Sequence, residues 1–210
     1  MSETAITPET TTSRIASRVG ARDIALIAVF AGVTAALGAL PPIPMPTGVP
    51  ITAQTLGVIL AGAILGPLRG GLSQLLFVAL ALVGLPLFSG GRGGIEVLFG
   101  VTAGFIISWP IAAALIGWST YRFNNPYTIW KGAIINVVFG IVFVYALGIV
   151  GMMAIGKMTF YTALVGNLPF LVGDAIKVAL VVLIAKGVHS ALPGLMPARP
   201  QQLVTLPEGA

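Results

Sequence analysis

Six apolar runs, 24–40, 51–65, 71–87, 95–118, 132–155 and 168–188, fill most of this chain and leave it little polar surface with which to face water. Only 8% of its 210 residues are charged, where a soluble domain of this size carries about a quarter. The solvent for such a sequence is therefore the bilayer. A spanning helix needs about 20 apolar residues, with a range near 17–25. The first and third runs sit at the lower limit and the second falls below it, so four spans with two re-entrant segments is the alternative to the simplest count of six. The expected fold is an all-α integral membrane protein of six transmembrane helices. A polar tail over 1–22 and a second over 190–210 would flank a membrane domain at 23–189. No small-residue cleavage site follows the first run, so it reads as an uncleaved span rather than a signal peptide.

Lysine and arginine set the expected orientation. With the N-terminus inside, Arg14, Arg18, Arg22, Arg69, Arg122, Lys131, Lys186 and Arg199 fall on the cytoplasmic side, against Arg92 and Lys157 outside. This positive-inside bias predicts that both termini are cytoplasmic. The scattered basic residues, without aromatic-basic alternation, suit lipid headgroups and exclude nucleic acid as the partner.

Against this apolar background, one pair of charges lies inside a span. Asp174 and Lys177 fall about two turns below the start of the run 168–188, in its outer half, and share one helix face at i and i+3. Each charge near a bilayer centre costs about 2.5–3.5 kcal/mol on insertion scales, so a functional role is expected, either a polar ligand site or an ion pair that pins helices together. Two outer connections lie on the same side. Residues 40–50 are uncharged and proline-rich, hence non-helical and stiff. Residues 84–94 are glycine-rich and carry Phe88 and Arg92. Non-helical backbone at membrane depth is tolerated where it is buried in protein or lines a cavity, so these loops and the Asp-Lys pair predict a lidded outer pocket.

Other residues carry two readings each. Ala28 and Gly32, Ala31 and Ala35 lie at four-residue spacing, which permits close helix contact in lipid, either within the chain or with a partner membrane protein. Glu96 is expected to open the fourth helix as an interfacial acid. Gln54 and Thr52 could bond a ligand or bridge helices; Gln74 reads as a bridge, His189 as a solvated histidine, and Trp109, Trp118 and Trp130 as markers of membrane depth. There is no cysteine, phosphate loop, H-E-x-x-H motif or cluster of acids. The sequence thus offers no metal ligands, no cofactor motif and no nucleophile-base constellation, and an enzyme is not expected.

Val49-Pro50-Ile51-Thr52-Ala53-Gln54-Thr55-Leu56-Gly57-Val58, Ala61-Gly62-Ala63-Ile64-Leu65-Gly66-Pro67-Leu68-Arg69-Gly70-Gly71 and Val83-Gly84-Leu85-Pro86-Leu87-Phe88 resemble motifs of the BioY family of biotin-transporter substrate-binding subunits. Pro169-Phe170 followed by Gly173-Asp174-Ala175-Ile176-Lys177 resembles that family's P-F-x-x-x-D-x-x-K motif. The resemblance runs from about residue 22 to residue 188. It implies a six-helix, multi-pass substrate-specificity component of an energy-coupling-factor transporter in a bacterial cell membrane. Such a component binds biotin at its outer face and associates with a membrane coupling subunit and ABC-type ATPase subunits. It further implies that the small-residue face of the first helix (Ala28, Ala31, Gly32, Ala35) docks the coupling subunit. The chain departs from the family where Gly100-Val101-Thr102-Ala103-Gly104-Phe105 replaces a frequent G-P-T-G-G-Y, and where Val172 replaces a frequent proline.

For biotin, Asp174 is expected to accept the ureido N–H groups and Lys177 to donate to the ureido oxygen or the valerate. Arg92 would clamp the carboxylate with two parallel bonds, and Phe88 and the prolines of the first loop would cover the apolar ring. Gln54 and Asn167 are supporting candidates. The alternative is a self-sufficient proton-coupled carrier in which Asp174 and Lys177 exchange a proton, although no inverted repeat is visible.

Overall fold

The computed structural model describes residues 20–192 and Leu195. The tails with Arg14, Arg18 and Arg199 lie outside the described residues. Eight helices follow one another: α1 (Ala21–Gly38), α2 (Gln54–Leu65), α3 (Pro67–Leu82), α4 (Ala103–Phe123), α5 (Ile129–Ile135), α6 (Phe143–Ala154), α7 (Phe160–Asn167) and α8 (Phe170–Ala191). A π-helical segment, Asn136–Val142, joins α5 to α6, so 129–154 is one unbroken 26-residue helix. Among the described residues there is no strand, only two isolated antiparallel bridges.

Among the described residues three helices are long and apolar enough to cross a membrane: α1, α4 and the 129–154 helix. The bent pair α7–α8, at 49° across Pro169, makes a fourth. The six apolar runs thus divide differently from the expected six uniform spans. α2 has 12 residues, about 18 Å at 1.5 Å per residue, well short of a hydrocarbon core of about 30 Å. Its limits follow from the sequence. The proline-rich segment cannot extend it backward, and Gly66, at φ 82°, ends it before Pro67 opens α3. Glu96 also differs from expectation. It sits in a separate 3-10 turn, Ile95–Phe99, and α4 begins only at Ala103.

Small residues bring the helices together, as they do where no hydrophobic force operates between helices. A Cβ on Gly104 of α4 would strike the Leu147 carbonyl, and one on Gly151 of α6 would lie 2.8 Å from the Gly104 nitrogen. The core falls into two clusters. One, around Phe77, Phe88, Phe105 and Trp109, surrounds the loops and the start of α8. The other, around Ile59, Leu65, Ile116 and Val181, fills the opposite end. At that opposite end Arg69 pairs with Asp23 at 2.8 Å and donates to the Leu195 carbonyl at 3.0 Å, tying α1, α3 and the C-terminal segment together.

Candidate ligand-binding site

The two loops read as a lid are ordered by their own hydrogen bonds. Ile43 and Ile51 exchange backbone bonds of 3.0 and 2.9 Å, closing the proline-rich segment into a hairpin. Phe88 and Arg92 do the same at 2.9 and 3.2 Å across a turn in which Gly90 and Gly91 take φ of 80° and 70°, a left-handed conformation that glycine adopts without steric cost. Gln54, at the start of α2, fastens this second hairpin. Its Nε2 donates to Leu87 O at 3.0 Å and to Thr34 O at 3.4 Å, and its Oε1 accepts from Ser89 N at 2.9 Å. Gln54 is 1% exposed and among the residues lining the cavity; one amide hydrogen holds the hairpin next to Phe88 and the other bridges to α1. Gln74 bridges likewise, donating to Thr34 Oγ1 at 3.0 Å.

Between these hairpins and helices α4, α6 and α8 lies a cavity whose empty space, open mouth included, is about 650 Å³. Val49, Pro50 and Ile51 form one wall and Phe88, Phe105 and Ile106 another. Phe88 meets Phe77 edge-on at 5.5 Å and Trp109 at 6.1 Å.

Asp174 and Lys177 enter this wall one to two turns into α8. Asp174 is 5% exposed. Its Oδ1 accepts from Lys177 Nζ at 2.8 Å and its Oδ2 from the Tyr145 hydroxyl of α6 at 2.6 Å. A carboxylate offers about four acceptor positions, and these two bonds use about half of them. Lys177 is in a different condition. Nζ also donates to Thr52 O at 2.7 Å and Thr55 Oγ1 at 2.8 Å. An ammonium has three donors, and all three are engaged within the protein. The expected direct bond from Lys177 to a ligand oxygen would therefore require breaking one of them. The pair ties α8 to α6 and to the start of α2, and both residues are among those lining the cavity. Arg92 is exposed at the mouth. Its Nε donates to Ser89 O at 3.4 Å, and its terminal nitrogens have no protein partner among the described residues.

Asn167 lies elsewhere. It is 2% exposed, donates to Ala163 O at 2.7 Å and to the Met152 sulfur at 3.4 Å, and does not line the cavity. Of the small residues on α1, Ala31 is core and Ala35 packs half-buried against it, whereas Ala28 and Gly32 face outward, with nothing within 4 Å of a Cβ at Gly32. His189 is not merely solvated, for its Nε2 lies 2.8 Å from Ala63 O and its ring stacks on Tyr127 at 5.0 Å. Trp118 and Trp130 are exposed as expected, but Trp109 is 6% exposed and lines the cavity. Tyr145, Thr55 and Thr102 were not anticipated at the site. Tyr145 had a legible signal, being the one hydroxyl-bearing residue in the otherwise apolar run 132–155 apart from the amide of Asn136. Among the described residues no group of three or more His, Cys, Asp or Glu could hold a metal ion.

Helices of membrane-spanning length and a cavity walled mostly by apolar groups, with Asp174 and Lys177 in its lining, define a helical membrane protein with an internal pocket. A sequence model of the BioY family matches residues 8–194. The chain is 39% identical over 187 residues to the biotin transporter BioY of Rhodobacter capsulatus, covering 85% of this chain and 98% of that protein. It is 42% identical over 171 residues to the probable biotin transporter BioY of Bacillus subtilis, covering 81% and 91%. A solved crystal structure, the S-component for biotin from an ECF-type ABC transporter, superposes with a TM-score of 0.76 at 33% identity, over 80% of this chain and 91% of that one. The chain belongs to the BioY family, which is a family of transport components and not of enzymes.

Proposed function

We propose that this chain is the high-affinity biotin-binding membrane component of an energy-coupling-factor uptake transporter. The observation that carries the reading is the Asp174 carboxylate in the lining of a mostly apolar cavity, in a chain whose relatives are biotin transporters. Biotin's ureido ring presents an N–H donor on each side of its carbonyl, and one of these suits the acceptor capacity that Lys177 and Tyr145 leave on Asp174. Lys177 and Tyr145 hold that carboxylate in place, Phe88 and Pro50 cover the apolar bicycle, and Arg92 at the mouth clamps the valerate carboxylate.

The membrane domain, 23–189, crosses the cell membrane six times with both termini cytoplasmic. The short helix α2 together with the proline-rich hairpin, and α3 with the glycine-rich hairpin, complete the second and third passages. The cavity then opens outward. Ala28 and Gly32, facing away from the bundle on α1, dock a membrane coupling subunit that is driven by ABC-type ATPases.

Equilibrium binding of radiolabelled biotin to the detergent-purified chain, competed by other vitamins, tests the reading. Saturable binding at one site, displaced by unlabelled biotin and not by thiamine or riboflavin, is expected. Absence of saturable binding, or equal displacement by unrelated vitamins, overturns it.

A further inference from the structure

Two lysines on different helices hold one turn of backbone. Lys131 of α5 donates from Nζ to Phe123 O at 3.3 Å, and Lys186 of α8 donates to Tyr127 O at 3.2 Å. Between those carbonyls Asn124 closes the turn from α4 to α5. Its Oδ1 accepts from Thr128 N and Thr128 Oγ1 at 2.8 Å each, and its Nδ2 donates to Thr128 O at 3.1 Å. Both ammonium groups are thereby fixed on one closed turn. An ammonium has three donors, and each of these lysines spends one on the backbone.

Neither lysine has an acidic partner among the described residues, whose acids are Asp23, Glu96 and Asp174. Asp23 pairs with Arg69 and Asp174 with Lys177. Glu96 precedes α4, whereas the turn follows its last residue, about 30 Å away along the helix at 1.5 Å per residue. The two positive charges therefore lack a counter-ion from the described part of the chain.

Aromatic rings stand beside these cations and face outward. Trp118 and Phe123 of α4 meet edge-on at 5.6 Å, the Arg122 guanidinium lies 5.3 Å from the centre of the Phe123 ring, and Lys131 Nζ lies 5.5 Å from that of Trp130. Trp118, Phe123 and Trp130 are all exposed. The turn joins α4 to the 129–154 helix, both of membrane-spanning length, so the rings sit where the spans leave the hydrocarbon, the level that such side chains favour. An acidic protein segment would answer the lysines and leave the rings to be covered separately. A phospholipid brings a phosphate and apolar chains in one molecule.

We propose that the turn between α4 and α5 holds one anionic phospholipid, with its headgroup phosphate on Lys131 and Lys186 and its acyl chains along the exposed rings. This surface shares no residue with the lining of the cavity, and the inference does not depend on what the cavity binds.

Native mass spectrometry of the purified full-length chain, taken from micelles with equal amounts of phosphatidylglycerol and phosphatidylcholine, counts the lipids it keeps. One phosphatidylglycerol should be retained in preference to phosphatidylcholine. Lys131→Gln and Lys186→Gln should each weaken that retention about fivefold, while Arg22→Gln, which removes an exposed cation at the start of α1, should leave it unchanged. Equal retention of the two lipids overturns the proposal, as does an equal loss from Arg22→Gln, the mark of a diffuse basic belt. Displacement of the lipid by the same concentration of inorganic phosphate also overturns it, because the site would then be one for the free ion. The unaltered protein supplies a readout that no misfolded variant can obscure. Phosphatidylglycerol with brominated acyl chains should quench its tryptophan fluorescence more strongly than brominated phosphatidylcholine, and equal quenching by the two overturns the proposal.

Discussion

Replacing Asp174 by Asn keeps the size and shape of the side chain and removes only its charge and one acceptor oxygen. In the folded protein Asp174 already accepts from Lys177 and Tyr145, which leaves acceptor capacity for one ureido N–H of the ligand. Hydrogen bonds to a charged partner contribute about 1.5–3 kcal/mol each. Asparagine offers a neutral acceptor in place of the charged one. The expected loss is about 1.5–3 kcal/mol, or roughly ten- to a hundred-fold in biotin affinity at about 1.4 kcal/mol per tenfold. Stability also responds. Lys177 keeps Thr52 O and Thr55 Oγ1 as partners, so the cost to folding sits at or below the lower end of the 3–5 kcal/mol usual for breaking a buried pair. Equilibrium binding measures the first effect, and thermal unfolding of the ligand-free protein measures the second. A variant that folds normally and binds biotin within threefold of the unaltered protein would refute the argument, because the carboxylate would then be a helix pin and nothing more.

Three further outcomes can be checked separately. Gly38→Ala should cost about 1–3 kcal/mol, since a Cβ there would strike the Leu87 carbonyl and come 2.7 Å from Gln54 Nε2; weaker biotin binding should accompany the lowered unfolding temperature, because the same latch holds Phe88. Burial pushes the Tyr127 phenol up to about 12 from its ordinary value near 10. The folded state therefore holds that proton more tightly than the unfolded one, so its contribution to stability is full below about pH 10 and is lost between about pH 10 and 12. Tyr127→Phe should flatten that part of the pH profile of thermal unfolding. The chain has no cysteine, so single substitutions report topology cleanly: Pro42→Cys should react with an impermeant maleimide added outside intact cells, and Ser190→Cys only after the membrane is opened.

The sequence made the helical membrane class legible through hydrophobicity alone, and the charge-bearing site through the cost of placing Asp174 and Lys177 in a span. Loop placement was also readable, because proline- and glycine-rich stretches at membrane depth make sense only where they are buried or line a cavity. The passages themselves were less so. An apolar run marks residence in lipid or core, but not where Gly66 or Pro169 breaks the helix, and so α2 proved short and α7 went unforeseen. Side-chain partners were least legible. Gln54 and Asn167 looked equivalent as polar residues near one membrane face, yet one latches a hairpin and the other bonds back to its own helix. Trp109 was read as an interfacial aromatic because tryptophan favours the interface, and only the face of α4 it occupies shows that its ring packs on Phe77 and Phe88 instead. Lys177 illustrates the limit best: its charge was visible in the sequence, whereas the three acceptors that occupy it come from residues up to 125 positions away.

Asp174 as the group that takes hold of the ureido ring is the claim on which the account depends most. A structure of the full chain saturated with biotin tests it most directly. The account predicts one ureido nitrogen within about 3.2 Å of an Asp174 carboxylate oxygen, with the Lys177 and Tyr145 bonds intact. Biotin bound elsewhere, or seated in this cavity with its ureido ring turned away from Asp174, would contradict it.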